Sequence, residues 1–183
     1  MTNLAWIDIE TTGFTELDKQ MVYKHKILEL GVVVTNKTLD VLGELSLVVH
    51  HERCSFDHLL DDVVTEMHQK NGLFAEVEVS TLSLGEAEKH ILAMLERHGV
   101  APRSSPLCGN SIALDRMFIE AQMPELNAFL HYRNLDISSL KEFIKLFRPE
   151  YEPMKRNNHR ALGDIYASIE EARIYKNYLF SDQ

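Results

Sequence analysis

Cysteine is almost missing from this 183-residue chain: Cys54 and Cys108 are the only two, and they form no Cys-x-x-Cys spacing. Neither a disulfide framework nor a structural zinc site is indicated, and a reducing compartment is expected. Basic residues are also scarce, 19 against 28 acidic ones, for a formal net charge of −9. A protein that grips long nucleic acid by its phosphates carries the opposite balance. Any such substrate should therefore be short, or held by a few placed contacts. The acidic total includes side chains that a bound metal would neutralise, so the argument concerns binding area rather than substrate type. No apolar run approaches the roughly 18 residues of a membrane span. Asp8 and Glu10 arrive before a signal-peptide core could form. Repeats, low-complexity tracts and Gly/Ser linkers are absent. The expectation is a soluble cytoplasmic protein, with no membrane partner, folded as one domain over residues 1–183. Its 45% hydrophobic content is enough for a substantial core.

Residues 3–9 read as a strand, followed by a Thr-Thr-Gly turn and a polar loop from Phe14 to Lys26. Ile27 to Thr35 is rich in β-branched residues and reads as a buried strand. Leu39 to His50 gives a third, with Asn36-Lys37-Thr38 as the hairpin turn, so an antiparallel meander of three strands is predicted. The period then changes. Phe56 to Leu73 fits one or two short helices broken near Asn71-Gly72, and Ser83 to His98 is an amphipathic helix with Gly99 just past its end. Leu107-Cys108-Gly109 reads as a buried strand entering a helix near Asn110 or Ser111. A short helix follows Pro124, then a strand over His131–Asp136, then a helix Leu140–Phe147 capped by Ser138 or Ser139. An irregular segment around Pro149 and Pro153 leads to a last helix from Arg160 to Leu179, with Ile165, Ile169, Ala172 and Tyr175 on its core side. A meander followed by alternating helices and strands predicts an α/β fold, a mixed sheet with helices packed on it.

The chemistry concentrates in Trp6-Ile7-Asp8-Ile9-Glu10-Thr11-Thr12-Gly13. Alternate strand positions share a face, so Asp8 and Glu10 project two carboxylates side by side while Ile7 and Ile9 face the core. Like charges that close repel, and a fold tolerates them mainly where a divalent cation sits between them. An exposed edge strand with a solvated face is the ordinary alternative. Asp115 falls in the first turns of a helix, whose unpaired N–H groups favour anions, and Asp164 falls on the last helix. His159 precedes Asp164 by five residues, which on one continuous helix would set them about 140° apart. They converge only if His159 lies in the loop before the helix. Taken singly, Asp115 reads as a dipole-stabilised carboxylate, Asp164 as a solvated one and His159 as one of nine histidines.

Together, Asp8-x-Glu10, Asp115 in Cys-Gly-Asn-Ser-Ile-Ala-Leu-Asp-Arg, and His159 with Asp164 in His-Arg-Ala-Leu-Gly-Asp resemble the three motifs of DEDDh-type 3′–5′ exonucleases. Met123-Pro124-Glu125-Leu126 and His131-Tyr132-Arg133-Asn134-Leu135-Asp136 resemble oligoribonuclease within that group, and the likeness runs from about Leu4 to Phe180. The resemblance implies a ribonuclease H-like fold with helices on both faces of the sheet. It implies a hydrolase in which Asp8, Glu10, Asp115 and Asp164 hold two Mg²⁺ or Mn²⁺ ions and His159 takes the proton of the attacking water. It further implies action on dinucleotides and very short single-stranded RNA or DNA, yielding 5′-mononucleotides, in a homodimer whose partner subunit helps cap the substrate's 5′ phosphate. The matching substrate-binding positions are Phe14, Val63, His68, Ser111, Tyr132, Arg133, Ser138 and Lys141. Arg133 is the strongest physical candidate, because a guanidinium makes paired contacts with phosphate.

The chain departs from that pattern in three places. Val63 follows Leu60-Asp61-Asp62 where oligoribonucleases have a Trp that seats the 3′ base, a stacking contact of roughly 1–3 kcal/mol. Phe14 replaces the usual Leu and could wedge between the two bases to recover part of it. The loop Thr15–Lys26 is longer than usual, and Gly163 stands where a second Asp is common. No catalytic position is lost. Ribose and deoxyribose both remain open: an oligoribonuclease is the first expectation, a deoxydinucleotide-specific relative the second and a proofreading or repair exonuclease on longer DNA the third. A nucleotide-binding module without catalysis would be expected to lack one of the five motif residues, and all five are present.

Overall fold

A computed structural model of the protein describes residues 3–13, 24–148 and 160–180. Its sheet grows outward from the first strand, β1 (Leu4–Thr11). β2 (Ile27–Thr35), buried along its whole length, pairs antiparallel with β1, and β3 (Val41–Val48) pairs antiparallel with β2. The predicted meander is therefore present. On the other side of β1, β4 (Leu107–Gly109) runs parallel to it and β5 (Asn134–Asp136) parallel to β4. The order β3-β2-β1-β4-β5 is a mixed α/β sheet.

The described helices are α1 (Asp62–Lys70), α2 (Leu73–Val79), α3 (Leu84–Arg97), α4 (Ala113–Gln122), α5 (Pro124–Phe129), α6 (Ile137–Phe147) and α7 (Ala161–Phe180). They cover both faces, because β1 and β2 are apolar on both. Ala5, Ile7, Val32 and Val34 pack against α3, α4 and α5 through Ile91, Leu95, Phe118 and Leu126. Trp6 and Val33 point the other way, onto Ile144 of α6 and Ile165, Ile169 and Tyr175 of α7. A smaller cluster of Leu28, Phe56, Leu73, Phe74 and Val77 seats α2 near the start of β2. No described helix is long and apolar enough to cross a membrane.

Several predicted boundaries move, each for a local reason. β3 starts at Val41 rather than Leu39. The Asn36 side chain accepts from the N–H of both Thr38 and Asp40, each at 2.9 Å, and Leu39 turns back at φ 69°, so the hairpin loop is longer than three residues. Only Asn134–Asp136 of the expected strand His131–Asp136 pairs in the sheet. Its first half is taken up by other bonds: His131 N–H donates to Ser105 O at 2.8 Å and Arg133 N–H to His131 Nδ1 at 3.1 Å. α6 is capped by Asp136, which accepts from Ser138 N–H at 2.9 Å, not by Ser138 or Ser139. α4 begins at Ala113 instead of Asn110 or Ser111, because Ser111 sits at φ 54° before it. Between Arg53 and Leu59 the chain makes two 3₁₀ turns, and helix begins only at Asp62, behind the Asp61 cap. The predicted break at Gly72 is present, at φ 80°, and α2 then continues to Val79, six residues beyond the predicted end at Leu73.

Candidate active site

The register of β1 explains why its two carboxylates are available. Parallel pairing with β4 covers Ala5 and Trp6 only. Beyond them the neighbouring chain leaves the sheet toward α4, so Asp8 and Glu10 emerge past the carboxyl end of a parallel strand, where open α/β sheets form their crevices. Both lie on the Trp6 side by the two-residue period of a strand. α7 lies on that side, anchored by Ile165 and Ile169, and presents Asp164 in its first turn. Carboxylate oxygens of Asp8, Glu10 and Asp164 all lie within 4.8 Å of one another. Asp115, in the first turn of α4, approaches from the opposite side. Its Oδ1 accepts from the Ile9 N–H at 3.0 Å, which ties α4 to the backbone between the two β1 acids.

Charge is concentrated here against its own preference. Burial and then the charges of Asp115, Glu10 and Asp164 hold the Asp8 carboxyl well above the ordinary aspartate range. Burial and then Asp164 and Glu29 push Glu10 up to about 7. Asp115, buried within α4, is pushed up to about 7 despite the N–H bond it accepts from Ile9. Carboxyls this close ionise together only if positive charge is supplied. All the donors are oxygens, which suits a hard divalent cation such as Mg²⁺ or Mn²⁺ and not a thiolate-seeking metal. Asp8, Glu10 and Asp164 could hold one such ion directly, with Asp115 beside them.

Of the other predicted positions, three meet at the ends of β4 and β5. The hydroxyls of Ser111 and Ser138 are 3.1 Å apart, and the Asp136 carboxylate accepts from the N–H of both. Lys141 joins from α6 but is engaged by Glu171 at 3.0 Å. Tyr132 and Arg133 project outward, Tyr132 78% exposed and stacked on His131, with the Arg133 guanidinium over its ring at 5.5 Å. Val63 is 76% exposed on the first turn of α1. His68, by contrast, is fully buried, with Nε2 2.9 Å from the Thr11 carbonyl and its ring edge-on to Phe74. That places it in the packing that holds α1 against the end of β1. Phe14, His159 and most of the loop Thr15–Lys26 lie outside the described residues.

A family model described as exonuclease (RNase T) matches residues 5–172. The oligoribonuclease of Thiobacillus denitrificans is 43% identical over 180 residues, covering 97% of this chain and 94% of its own. That of Corynebacterium diphtheriae is 45% identical over 184 residues, covering 98% and 84%. The chain belongs to the oligoribonuclease family of exonucleases. Exonuclease I of Methylocaldum szegediense superposes with a TM-score of 0.70 at 17% identity, over 99% of this chain and 43% of that larger one, a likeness of fold alone. The ribonuclease H-like sheet with helices on both faces is thus the fold of this exonuclease.

Four residues that support this candidate site were not singled out from the sequence. Glu29 is the one acid inside the apolar run of β2. It lies opposite Glu10 and is buried, and that interruption of an apolar strand was the available signal. Arg160, next to His159 in the sequence, donates to both Glu29 oxygens, at 2.9 and 3.1 Å. Gly31 lies opposite Asp8, and a Cβ on it would meet the Ala161 backbone at 2.8 Å, so α7 can rest on β2 only where a side chain is missing. Arg116, adjacent to Asp115, is buried and donates to the His131 carbonyl at 2.9 Å and to Asn134 Oδ1 at 3.1 Å, which fixes the base of the Tyr132–Arg133 segment.

Proposed function

We propose that the chain is one DEDDh exonuclease domain over residues 1–183 that removes nucleotides from the 3′ end of dinucleotides and very short single-stranded oligonucleotides, RNA first, releasing 5′-mononucleotides. The observation that carries this reading is the meeting of the Asp8, Glu10 and Asp164 oxygens within 4.8 Å in a chain 43% identical to an oligoribonuclease. Asp8, Glu10, Asp115 and Asp164 would hold two divalent ions, Mg²⁺ or Mn²⁺. When bound, such ions supply Lewis-acid polarisation of the phosphoryl group and a nucleophile ionised at neutral pH. The protein's own part is to bind and orient. The four acids fix where positive charge sits, and Asp115 also braces the β1 backbone. His159 accepts the proton of the attacking water, a role that needs the neutral imidazole available near pH 7; this assignment rests on its motif.

Substrate length follows from charge and from the Tyr132–Arg133 segment. An acidic protein lacks the basic track that long strands need, and a paired arginine contact to a terminal phosphate replaces it. Tyr132 and Arg133 are exposed on a rigid base, which supports a role as the 5′-phosphate cap offered to a partner copy in a homodimer, with Ser111 and Ser138 at its side and Lys141 nearby. Unpaired Cys54 and Cys108 fit a reducing cytoplasm.

One observation favours a second reading. Val63, exposed on α1, matches the position of the aromatic ring that seats the 3′ base in oligoribonucleases, and with that base seat altered a deoxydinucleotide-specific enzyme becomes the alternative. Turnover of 5′-phosphorylated di- and heptanucleotides, ribo and deoxy, separates the cases. The dinucleotides are expected to outpace the heptamers, with the diribonucleotide fastest. Cleavage of the deoxydinucleotide alone would establish the second reading, and faster heptamers would overturn the short-substrate claim.

The seat of α7 gives a further prediction. Gly31→Ala pushes the start of α7 away from β2 and carries Asp164 away from Asp8. A displacement of about 1 Å at a reacting centre costs on the order of 100-fold. Dinucleotide turnover should fall by that order while circular dichroism stays unchanged; turnover within threefold of the parent would show that α7 tolerates the shift.

A further inference from the structure

Among the described residues, a fifth carboxylate stands at the edge of the acidic cluster, its oxygens bonded to other partners. Glu29 lies directly across the sheet from Glu10, and its side chain is only 2% exposed. Its Oε1 accepts from the Ser46 hydroxyl at 3.0 Å, and its Oε2 from the Ala161 N–H at 3.3 Å, one of the unpaired donors of the first turn of α7. Arg160 closes over it with Nε at 2.9 Å and Nη2 at 3.1 Å. The same guanidinium reaches Glu76 on α2 through Nη1 and Nη2, both at 2.8 Å. One planar cation thus grips two carboxylates on adjacent edges that share Nη2, joining β2, α2 and the start of α7. The four contacts use the fixed fork of arginine, which an ammonium cannot reproduce.

From this arrangement we infer that Arg160, held between Glu29 and Glu76, is a positioning residue for the cation site: it locks the first turn of α7 so that Asp164 faces Asp8 and Glu10, and it keeps Glu29 out of the cluster. Both effects follow from the geometry. Asp164 lies one turn beyond Arg160, its N–H donating to the Arg160 carbonyl at 3.1 Å, so the set of Arg160 sets the phase of that turn. Gly31 leaves room for Ala161 to rest on β2, but room alone does not hold it there; the Glu29–Arg160 pair supplies the attachment. Without Arg160, Glu29 would be a buried, uncompensated charge opposite Glu10, free to turn toward the positive charge meant for its neighbours.

The inference rests on the divalent-cation reading of Asp8, Glu10 and Asp164, and the test separates the two. Full-length protein freed of metal with chelator is titrated with Mn²⁺, reading free Mn²⁺ by electron paramagnetic resonance, for the parent, Arg160→Met, Arg160→Lys and Glu76→Gln. Arg160→Met is expected to weaken Mn²⁺ binding by about 10-fold or more, the order found when the structure that orients a metal ligand is lost. Arg160→Lys should recover only part of it. At saturating Mn²⁺, kcat on a dinucleotide should fall while KM moves less than about twofold, because Arg160 acts through the cation site and not on the substrate. Glu76→Gln loosens one half of the clamp at a half-exposed position and should show the same trend in reduced form. A folded Arg160→Met protein with parental Mn²⁺ affinity and kcat overturns the inference. If that variant does not fold, parental values in both Arg160→Lys and Glu76→Gln overturn it equally. Failure of the parent itself to bind Mn²⁺ would instead overturn the cation reading on which the inference stands.

Discussion

Replacing Asp164 with Asn is expected to lower kcat on a dinucleotide by about three orders of magnitude or more, at about 1.4 kcal/mol per factor of ten. Asn preserves shape and removes charge. The carboxylate it replaces is one of three whose oxygens lie within 4.8 Å, so its loss removes one of the negative charges a cation at that point would meet. The substitution separates function from folding unusually well. Asp164 is among the charges that raise both Asp8 and Glu10, so neutralising it relieves repulsion in the metal-free protein. The variant should accordingly melt at the parental temperature or above it in chelator at pH 8, while being nearly inactive in Mn²⁺. Turnover within tenfold of the parent would remove Asp164 from the reaction.

The second large effect is a stability that falls with rising pH and is restored by metal. Glu10 has an ordinary value of 4.5 and is pushed up to about 7 in the folded protein, and Asp115 moves from 3.8 to about 7. Asp8 is raised in the same direction. Between the ordinary and the raised values the folded state holds protons that the unfolded chain has released, so unfolding becomes easier as pH rises through that window. The loss is complete once pH passes the folded value. For Glu10 alone the difference is on the order of 3 kcal/mol, and a domain of this size shifts by about 2–4 °C per kcal/mol. In chelator, the melting temperature should fall by about 5–10 °C or more from pH 5 to pH 8. Added Mn²⁺ should raise it little at pH 5, where protons occupy the acids, and strongly at pH 8. A metal-free melting temperature that is flat or rising over this range would contradict the described electrostatics.

Much of this was legible in the sequence because it obeys short periods. The two-residue alternation through Trp6, Asp8 and Glu10 placed both acids on one face, and β-branched runs marked β2. The spacing of Ile165, Ile169, Ala172 and Tyr175 identified the buried side of α7, and all four are buried. What was not legible depended on contacts between distant segments. Nothing local to Asn134 announces that residues 131–133 are held by Arg116 in place of a sheet partner. Nothing local to Ser138 announces that Asp136 takes the cap. His68 matched a substrate position by resemblance, yet it is enclosed by Phe74 and the Thr11 carbonyl, a fact of tertiary packing. Glu29 and Gly31 carry weak local signals, an acid and a glycine in an apolar strand. Their meaning appears only when α7 is laid across them.

The measurement that bears most directly on the central claim is a Mn²⁺ titration of chelator-treated protein at pH 8, parent beside Asp164→Asn. The four-acid site predicts two ions per chain for the parent, and weaker binding with at least one ion lost in the variant. No Mn²⁺ bound by the parent, or unchanged stoichiometry and affinity in Asp164→Asn, would contradict it.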